Sequence, residues 1–316
     1  MAITLAEYQN VVGDALDTSA VIDEFRKSSV ILDNLVFDDT VNPAGSSFSY
    51  GYVTVTSESG AGVRQVGGQY TPSEAKTEKR TADVAILGGT YTIDRAIAKA
   101  SEKGFLNEVE FQATQKVKGA KAKFNDLFIN GDATARNGEF DGLNKLLTGS
   151  DTVFASATDL STAANRTANA QAFLDEVDEV IANMDGAPTF ICMNTKMLTV
   201  FRGIIRRLGQ YTTTKDDMGR VVEKYGEATL VDMGAKAGSS EAVIPTSAGK
   251  TDIYFVRLGL DGVHGVTLDG QMIDTVTPAF GTTAAEQAKG LVEMYAGIAL
   301  KSSKAAAKLS GVTISA

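Results

Sequence analysis

A stretch of almost fifty residues, 47 to 93, constrains this chain more than any other part of it. It opens in strand chemistry: Phe48, Tyr50 and Tyr52 alternate with small or polar residues, and Val53 and Val55 continue beside β-branched Thr54 and Thr56. It closes in a second strand-like run, Val84 to Ile93, where Val84 and Ile86 alternate, Gly88-Gly89 interrupts, and Tyr91 and Ile93 resume. The residues between are rich in Gly, Ser and charge, with Gly60-Ala61-Gly62, Gly67-Gly68 and Pro72 among them. The segment therefore reads as a long antiparallel excursion whose tip has almost nothing with which to build a core. An isolated two-stranded ribbon is marginal in water, so this one needs a partner surface. The competing reading is a loose surface hairpin.

The segments on either side are more conventional. Before the excursion, Val21, Ile22, Phe25, Val30 and Ile31 form an apolar-periodic stretch that stops at the turn signal Asn42-Pro43-Ala44-Gly45, which reads as an arm. After it, Leu106, Val109, Ala113, Val117, Ala120, Phe124 and Leu127 recur at spacings of three and four, the stripe of an amphipathic helix. At ~1.5 Å per residue this helix would exceed 30 Å. Glu102, Glu108 and Glu110 fall early and Lys116, Lys118, Lys121 and Lys123 late, the polarity that the helix dipole favours. Tight turns follow at Asn130-Gly131-Asp132 and from Gly138 to Gly142, and residues 148 to 168 read as a loop. Two helices are predicted from the stripes Phe173, Leu174, Val177, Val180, Ile181, Met184 and Met197, Leu198, Phe201, Ile204, Ile205, Leu208, the second with Asn194 as N-cap and Gly209 just past its end. Thr189 to Met193 lies between them as a buried strand, and short strands with Gly punctuation run from residue 221 onward. The fold class is α+β, with a sheet-rich second half.

Composition removes most chemistry. The 316 residues include one histidine, His264, one cysteine, Cys192, and no tryptophan, so neither an intrachain disulfide nor a Cys/His zinc site can form. The formal charge of −9 opposes nucleic-acid and anionic-membrane binding by the chain as a whole, and the helix lysines read as a solvated face. No Lys or Arg precedes Arg26, which argues for cytoplasmic synthesis without a basic leader. No apolar run reaches membrane-span length, the richest late one carrying Glu293, so the Asn165 sequon carries no weight.

Motif imitations fail on single residues. Ala248-Gly249-Lys250-Thr251 copies the end of a phosphate loop, but Ile244 stands where the first glycine belongs. Pro245-Thr246-Ser247-Ala248-Gly249 is a nucleophile elbow with proline for its first glycine. His264 between glycines, Cys192 in an apolar strand, and the adjacent pairs Asp38-Asp39 and Asp216-Asp217 read as structural or solvated groups. No catalytic, cofactor or metal residue is assigned. Arg202, Arg206 and Arg207 form one compact basic patch, suited to the helix C-terminus or to an acidic face such as Glu176/Asp178/Glu179 of another copy.

The order of parts carries more than any motif. An arm, an unsupported β-excursion and a spine-length helix lead into Phe128-Ile129-Asn130-Gly131-Asp132 and Phe140-Asp141-Gly142-Leu143-Asn144-Lys145. Next come Phe190-Ile191-Cys192-Met193-Asn194 through Arg202, then Leu208-Gly209-Gln210-Tyr211, and the closing segments Glu293 to Leu300 and Ala305-Ala306-Ala307. Together they resemble the major capsid protein of tailed bacteriophages with the Hong Kong 97-type fold. The resemblance implies an N-terminal arm (1–46), an E-loop (47–93), a peripheral domain with the spine helix (94–146, completed by 270–316) and an axial domain (147–269). It implies hexamers and pentamers of an icosahedral shell around packaged double-stranded DNA, bound without sequence specificity, in a virion whose parts are made in the host cytoplasm. A portal protein is implied as partner, and separate scaffolding and decoration proteins are compatible with it. An enzyme and a cofactor are not implied, and no membrane is. The E-loop would lie over a neighbouring subunit, with Lys76, Glu78, Lys79 and Arg80 as repeated weak contacts and Arg202, Arg206 and Arg207 as further ones. The family's best-known member joins an E-loop lysine to a late asparagine; this chain has no asparagine after Asn194, so no such cross-link is expected. The stretch before the E-loop is too short for a fused scaffolding segment, which leaves a separate scaffold or none. An encapsulin, a nanocompartment shell of the same fold, is the alternative.

Overall fold

The computed structural model describes residues 29–38, 49–57, 59–101, 107–210, 212–215, 221–268, 273–280 and 286–315. Most of the predicted arm, with Val21, Ile22 and Phe25, and also Leu106, Asp39, Tyr211 and Asp216-Asp217, lie outside them.

In chain order the first elements are α1 (Val30–Asn34), β1 (Phe37–Asp38), β2 (Ser49–Ser57), β3 (Lys76–Asp83), β4 (Ala85–Asp94), α2 (Arg95–Ser101), α3 (Glu108–Asn130) and α4 (Leu143–Leu146). Then follow β5 (Val153–Ala155), α5 (Ala163–Ala168), α6 (Ala170–Ala182), β6 (Phe190–Met193), α7 (Thr195–Arg207), β7 (Thr212–Lys215), β8 (Val221–Tyr225) and β9 (Ala228–Asp232). The chain closes with β10 (Lys250–Val256), β11 (Val263–Val266), β12 (Asp274–Val276), β13 (Gln287–Leu300), a short 3-10 turn and β14 (Ala306–Thr313).

The predicted excursion divides differently from its sequence reading. β2 pairs antiparallel with β3, from Ser49↔Asp83 to Val55↔Thr77, and these two strands alone make the projecting hairpin. The run expected to return the excursion, 84 to 93, is instead β4, paired antiparallel with β13 over ten residues in a different sheet. The cause is chemical: Lys-Thr-Glu-Lys-Arg-Thr-Ala-Asp has no apolar alternation, because β3 buries only Ala82 and is held by backbone pairing. The region read as a loop, 148 to 168, likewise holds β5 and α5.

β13 is the axis of the first sheet, in the order β1-β11-β13-β12, with β4 along its other edge. Its even-numbered residues Val292, Met294, Ala296 and Ile298 are buried, the period-2 pattern of a strand with one face in a core. α3 lies against β4 and β13. At 23 residues it spans about 35 Å, capped by the Asn107 side chain, which accepts from the Glu110 amide. Glu108 and Glu110 stand in its first turn as expected, but the lysines fall mid-helix and its last turn holds no base. The dipole therefore gains only from the acidic end. The last turns, Phe124 to Ile129, are buried on all sides, with Phe124 in ring contact with Phe37, Phe128 and Phe140.

The loop after α3, singled out by its letters, is a close backbone crossing. A Cβ on Gly131 would stand 2.2 Å from the Phe140 carbonyl oxygen, and one on Gly142 2.4 Å from that of Leu127. Only glycine fits either position. The Gly142 amide donates to the Gly131 carbonyl at 2.9 Å, and Asp132 Oδ1 accepts from the Thr134 and Ala135 amides and from Lys145 Nζ at 3.1 Å. Lys145 and those amides hold the Asp132 carboxyl below its ordinary range.

The second sheet has seven strands, β5-β14-β10-β6-β9-β8-β7. In β6, Phe190 and Cys192 face the core shared with α3, while Ile191 and Met193 face α6 and α7. Both helices lay their predicted stripes on this face, except that Leu208 lies past the end of α7 and is exposed, and Asn194 caps α7, its Oδ1 accepting from the Met197 amide at 2.8 Å.

Candidate assembly surface

The hairpin has two unlike faces. Alternation puts Tyr50 and Tyr52 on the inner one, each 8% exposed, where they join Ala82, Val84, Val266 and Ala299 in a small cluster that fastens the hairpin to the body. Tyr50 stacks on Tyr52 at 6.1 Å, its hydroxyl donates to Asp38 Oδ2 at 3.0 Å, and the Lys301 ammonium sits 5.5 Å from its ring centroid. Burial raises the Tyr52 phenol, with the Arg80 charge opposing it. The outer face carries Val53 and Val55, 67% and 57% exposed, opposite Lys79 and Thr77.

Beyond Ser57 the ribbon gives way to a tip, described from residue 59 to 75, whose residues are all exposed. Val63 and Val66 touch so little of their own chain that their exposure matches that of an extended peptide, at 103% and 105%. Arg64 lies over the Tyr70 ring at 5.5 Å, and a turn closes through the Gly68 amide on the Gln65 carbonyl, with Gly67 at φ +86°. These exposed valines, grouped on one projection, bury almost nothing against their own chain.

Lys76, Glu78, Lys79 and Arg80 all stand on β3, but on opposite faces. Lys79 shares the outer face with Val53, whereas Glu78 and Arg80 oppose Thr54 and Tyr52 and pair with each other at 3.7 Å. That exposed pair contributes ~0.2–1 kcal/mol at most. Arg202 pairs with Glu223 on β8, and Arg207 Nη1 donates to Thr167 Oγ1 at 3.0 Å, so both engage side chains of their own chain. Arg206 and Arg207 occupy the last turn of α7, where cations suit the dipole. The residues that sequence reasoning passed over are Val53, Val55, Val63, Val66 and Tyr70. Their signal was present as apolar residues in a segment that builds no core.

The rejected motifs are turns and packing. Ala248-Gly249 is a tight turn into β10, with Gly249 against the Ser315 carbonyl, and holds no phosphate cradle. Cys192 is buried, which pushes its thiol up to about 12. His264 is fully buried on β11. The Asn165 side chain donates to Asp159 Oδ2 at 2.7 Å. Among the described residues no cluster of His, Cys, Asp or Glu is placed to hold a metal, and no helix is long and apolar enough to cross a membrane.

A hairpin fastened at its base and bare at its tip, a spine helix across a β-sheet, and a separate α/β unit make an arrangement that recurs among solved structures. The chain is similar to the holo-SrpI encapsulin complex from Synechococcus elongatus PCC 7942, with a TM-score of 0.67, 14% identity and coverage of 99% of this chain and 97% of that one. It is similar to the capsid of the native GTA particle, with a TM-score of 0.63, 12% identity and full coverage of both chains. It is similar also to the capsid of Myoviridae phage XM1, with a TM-score of 0.58, 14% identity and 98% and 99% coverage. No protein-family model and no curated protein matches the sequence. The chain has the Hong Kong 97-type capsid fold, α+β, over essentially its whole length.

Proposed function

We propose that this chain is a major capsid protein that assembles, through hexamers and pentamers, into an icosahedral shell around packaged double-stranded phage DNA. The observation that carries the reading is the hairpin. Its inner face is fixed to the body, while its outer face and tip leave Val53, Val55, Val63 and Val66 bare, an arrangement that makes sense when a second copy covers them. The solved structures of like fold are mainly phage and GTA capsids, which supports the same reading.

The role is structural and without turnover, and the protein belongs in the virion. In this reading, residues 1–46 are the arm, 94–146 and 270–316 the peripheral domain and 147–269 the axial domain, while the E-loop within 47–93 is built on β2 and β3. Lys76, Glu78, Lys79 and Arg80 make rim contacts around the valines, and Arg202, Arg206 and Arg207 serve the axial contacts. A portal protein is the expected partner, and separate scaffolding and decoration proteins are compatible with the reading. The net charge of −9 keeps the wall from gluing DNA to itself.

A second reading, an encapsulin-like nanocompartment shell, is favoured by the TM-score of 0.67 to the encapsulin complex. Electron microscopy of the full chain expressed alone, followed by proteomics and nucleic-acid assay of native particles, separates the two. Shells from DNA-filled, portal-bearing particles support the capsid; shells carrying one enriched enzyme support the compartment; a stable monomer at every concentration refutes both.

A further inference from the structure

The only histidine in the chain sits where the hairpin meets the body. His264 is fully buried on β11, its ring 5.6 Å from that of Tyr50 in an edge-on contact at 80°. Neither ring nitrogen makes a hydrogen bond of good geometry, although the Gly262 backbone lies near enough to favour a proton on the ring. β11 runs between β1 and β13, and Val266, two residues along the same face, packs with Tyr50 and Tyr52. A buried, unpartnered base at the attachment point of a projecting ribbon is costly to protonate in place and easy to protonate once the ribbon lifts.

We propose that the joint between the β2–β3 hairpin and the body is an acid-sensitive hinge keyed by His264: protonation of the imidazole opens its contact with Tyr50 and releases the hairpin base. The surrounding charges set the sign. Lys301, just past β13 and over the Tyr50 ring, opposes a second cation at the joint, whereas Asp38 on β1 favours one but is engaged by the Tyr50 hydroxyl. From the hairpin, the Tyr52 phenol and Arg80 face the same cluster, and from β13 Tyr295 does, its hydroxyl donating to Glu293 at 2.7 Å. Asp38 and the Gly262 backbone favour the protonated ring, and burial and Lys301 outweigh them in the closed joint.

Burial first, and Lys301 second, hold the closed-state imidazole down to about 4 against an ordinary 6.5. A depressed value means that the open joint binds the proton more tightly. The stability of the closed joint is therefore complete above pH 6.5 and is lost as pH falls toward 4. Between pH 7 and pH 5 the open-to-closed ratio rises about 20-fold. This inference does not depend on the shell reading, since it concerns one chain.

Hydrogen exchange on the full chain, corrected for the intrinsic pH dependence of amide exchange, tests it. Hairpin amides of residues 50–55 and 77–82 should lose about 20-fold protection between pH 7 and pH 5, while amides of β10 hold theirs. In His264→Leu and His264→Gln the hairpin amides should show no such dependence. A wild-type hairpin that keeps its protection at pH 5 overturns the proposal, as does a variant that retains the wild-type loss. Should neither variant fold, the single histidine resonance of the wild-type chain decides: no titration above pH 5 is expected, and titration near 6.5 with the hairpin still protected refutes it.

Discussion

Replacing Val63 and Val66 together by serine isolates what the hairpin tip does. Both side chains are fully exposed in the single chain, so their loss removes no intrachain packing and should leave the subunit's thermal stability within about 0.5 kcal/mol of the parent. In a shell, burying a valine contributes about 1.5–3 kcal/mol. Taking the lower figure for each, the double substitution removes about 3 kcal/mol per hairpin from the assembled state alone. Every 1.4 kcal/mol is tenfold, so the concentration at which assembly begins should rise by about a hundredfold. A dilution series followed by light scattering or sedimentation reads that threshold directly. An unchanged threshold would mean that the tip faces solvent in the assembly, and a lowered melting temperature of the unassembled variant would mean that the tip packs on its own body. Either result breaks the argument from exposed valines to an intersubunit contact.

Two glycines give opposite expectations: Gly142→Ala should destabilise by about 2–3 kcal/mol or prevent folding, because its Cβ meets the Leu127 carbonyl and the Gly131 amide, whereas Gly119→Ala inside α3 meets nothing and should stabilise by about 0.5–1 kcal/mol, both read by thermal melts. Cys192 should resist a thiol reagent at pH 8 in the native protein and react at once in denaturant, since burial holds its thiol near 12; fast native labelling would contradict its place in the core. Purified particles should run as a single band on a denaturing gel, without the ladder that lysine–asparagine cross-links would leave, because no asparagine follows Asn194.

How much of this was legible in the sequence depended on burial. α3, α6 and α7 each bury one face, so a period of 3.6 was written in Val109, Phe173 and Met197, and β6, buried on both faces, could be read from the unbroken apolar run Phe190 to Met193. β3 buries almost nothing, and its eight residues carry no period; only the structure shows that it, and not β4, returns the hairpin. The lysines of α3 misled for a related reason. Their lateness was judged from the apolar stripe, but the helix runs on to Asn130 through Phe128 and Ile129, which are buried by the crossing at Gly131 and Gly142. The proposed contact surface lay in the opposite blind spot: Val63 and Val66 are fully exposed, so no packing pattern within the chain marks them. Arg202 looked like such a residue and instead found Glu223 across the fold from it, a pairing between elements that no local spacing encodes.

The most direct test of the central claim is a cryo-electron microscopy reconstruction of the full-length chain after assembly. The account predicts a closed shell of hexamers and pentamers in which the outer face of each hairpin, with Val53 and Val55, and the tip with Val63 and Val66 lie against a neighbouring subunit. A chain that stays monomeric across the concentrations tested, or a shell whose hairpins stand free in solvent, would contradict it.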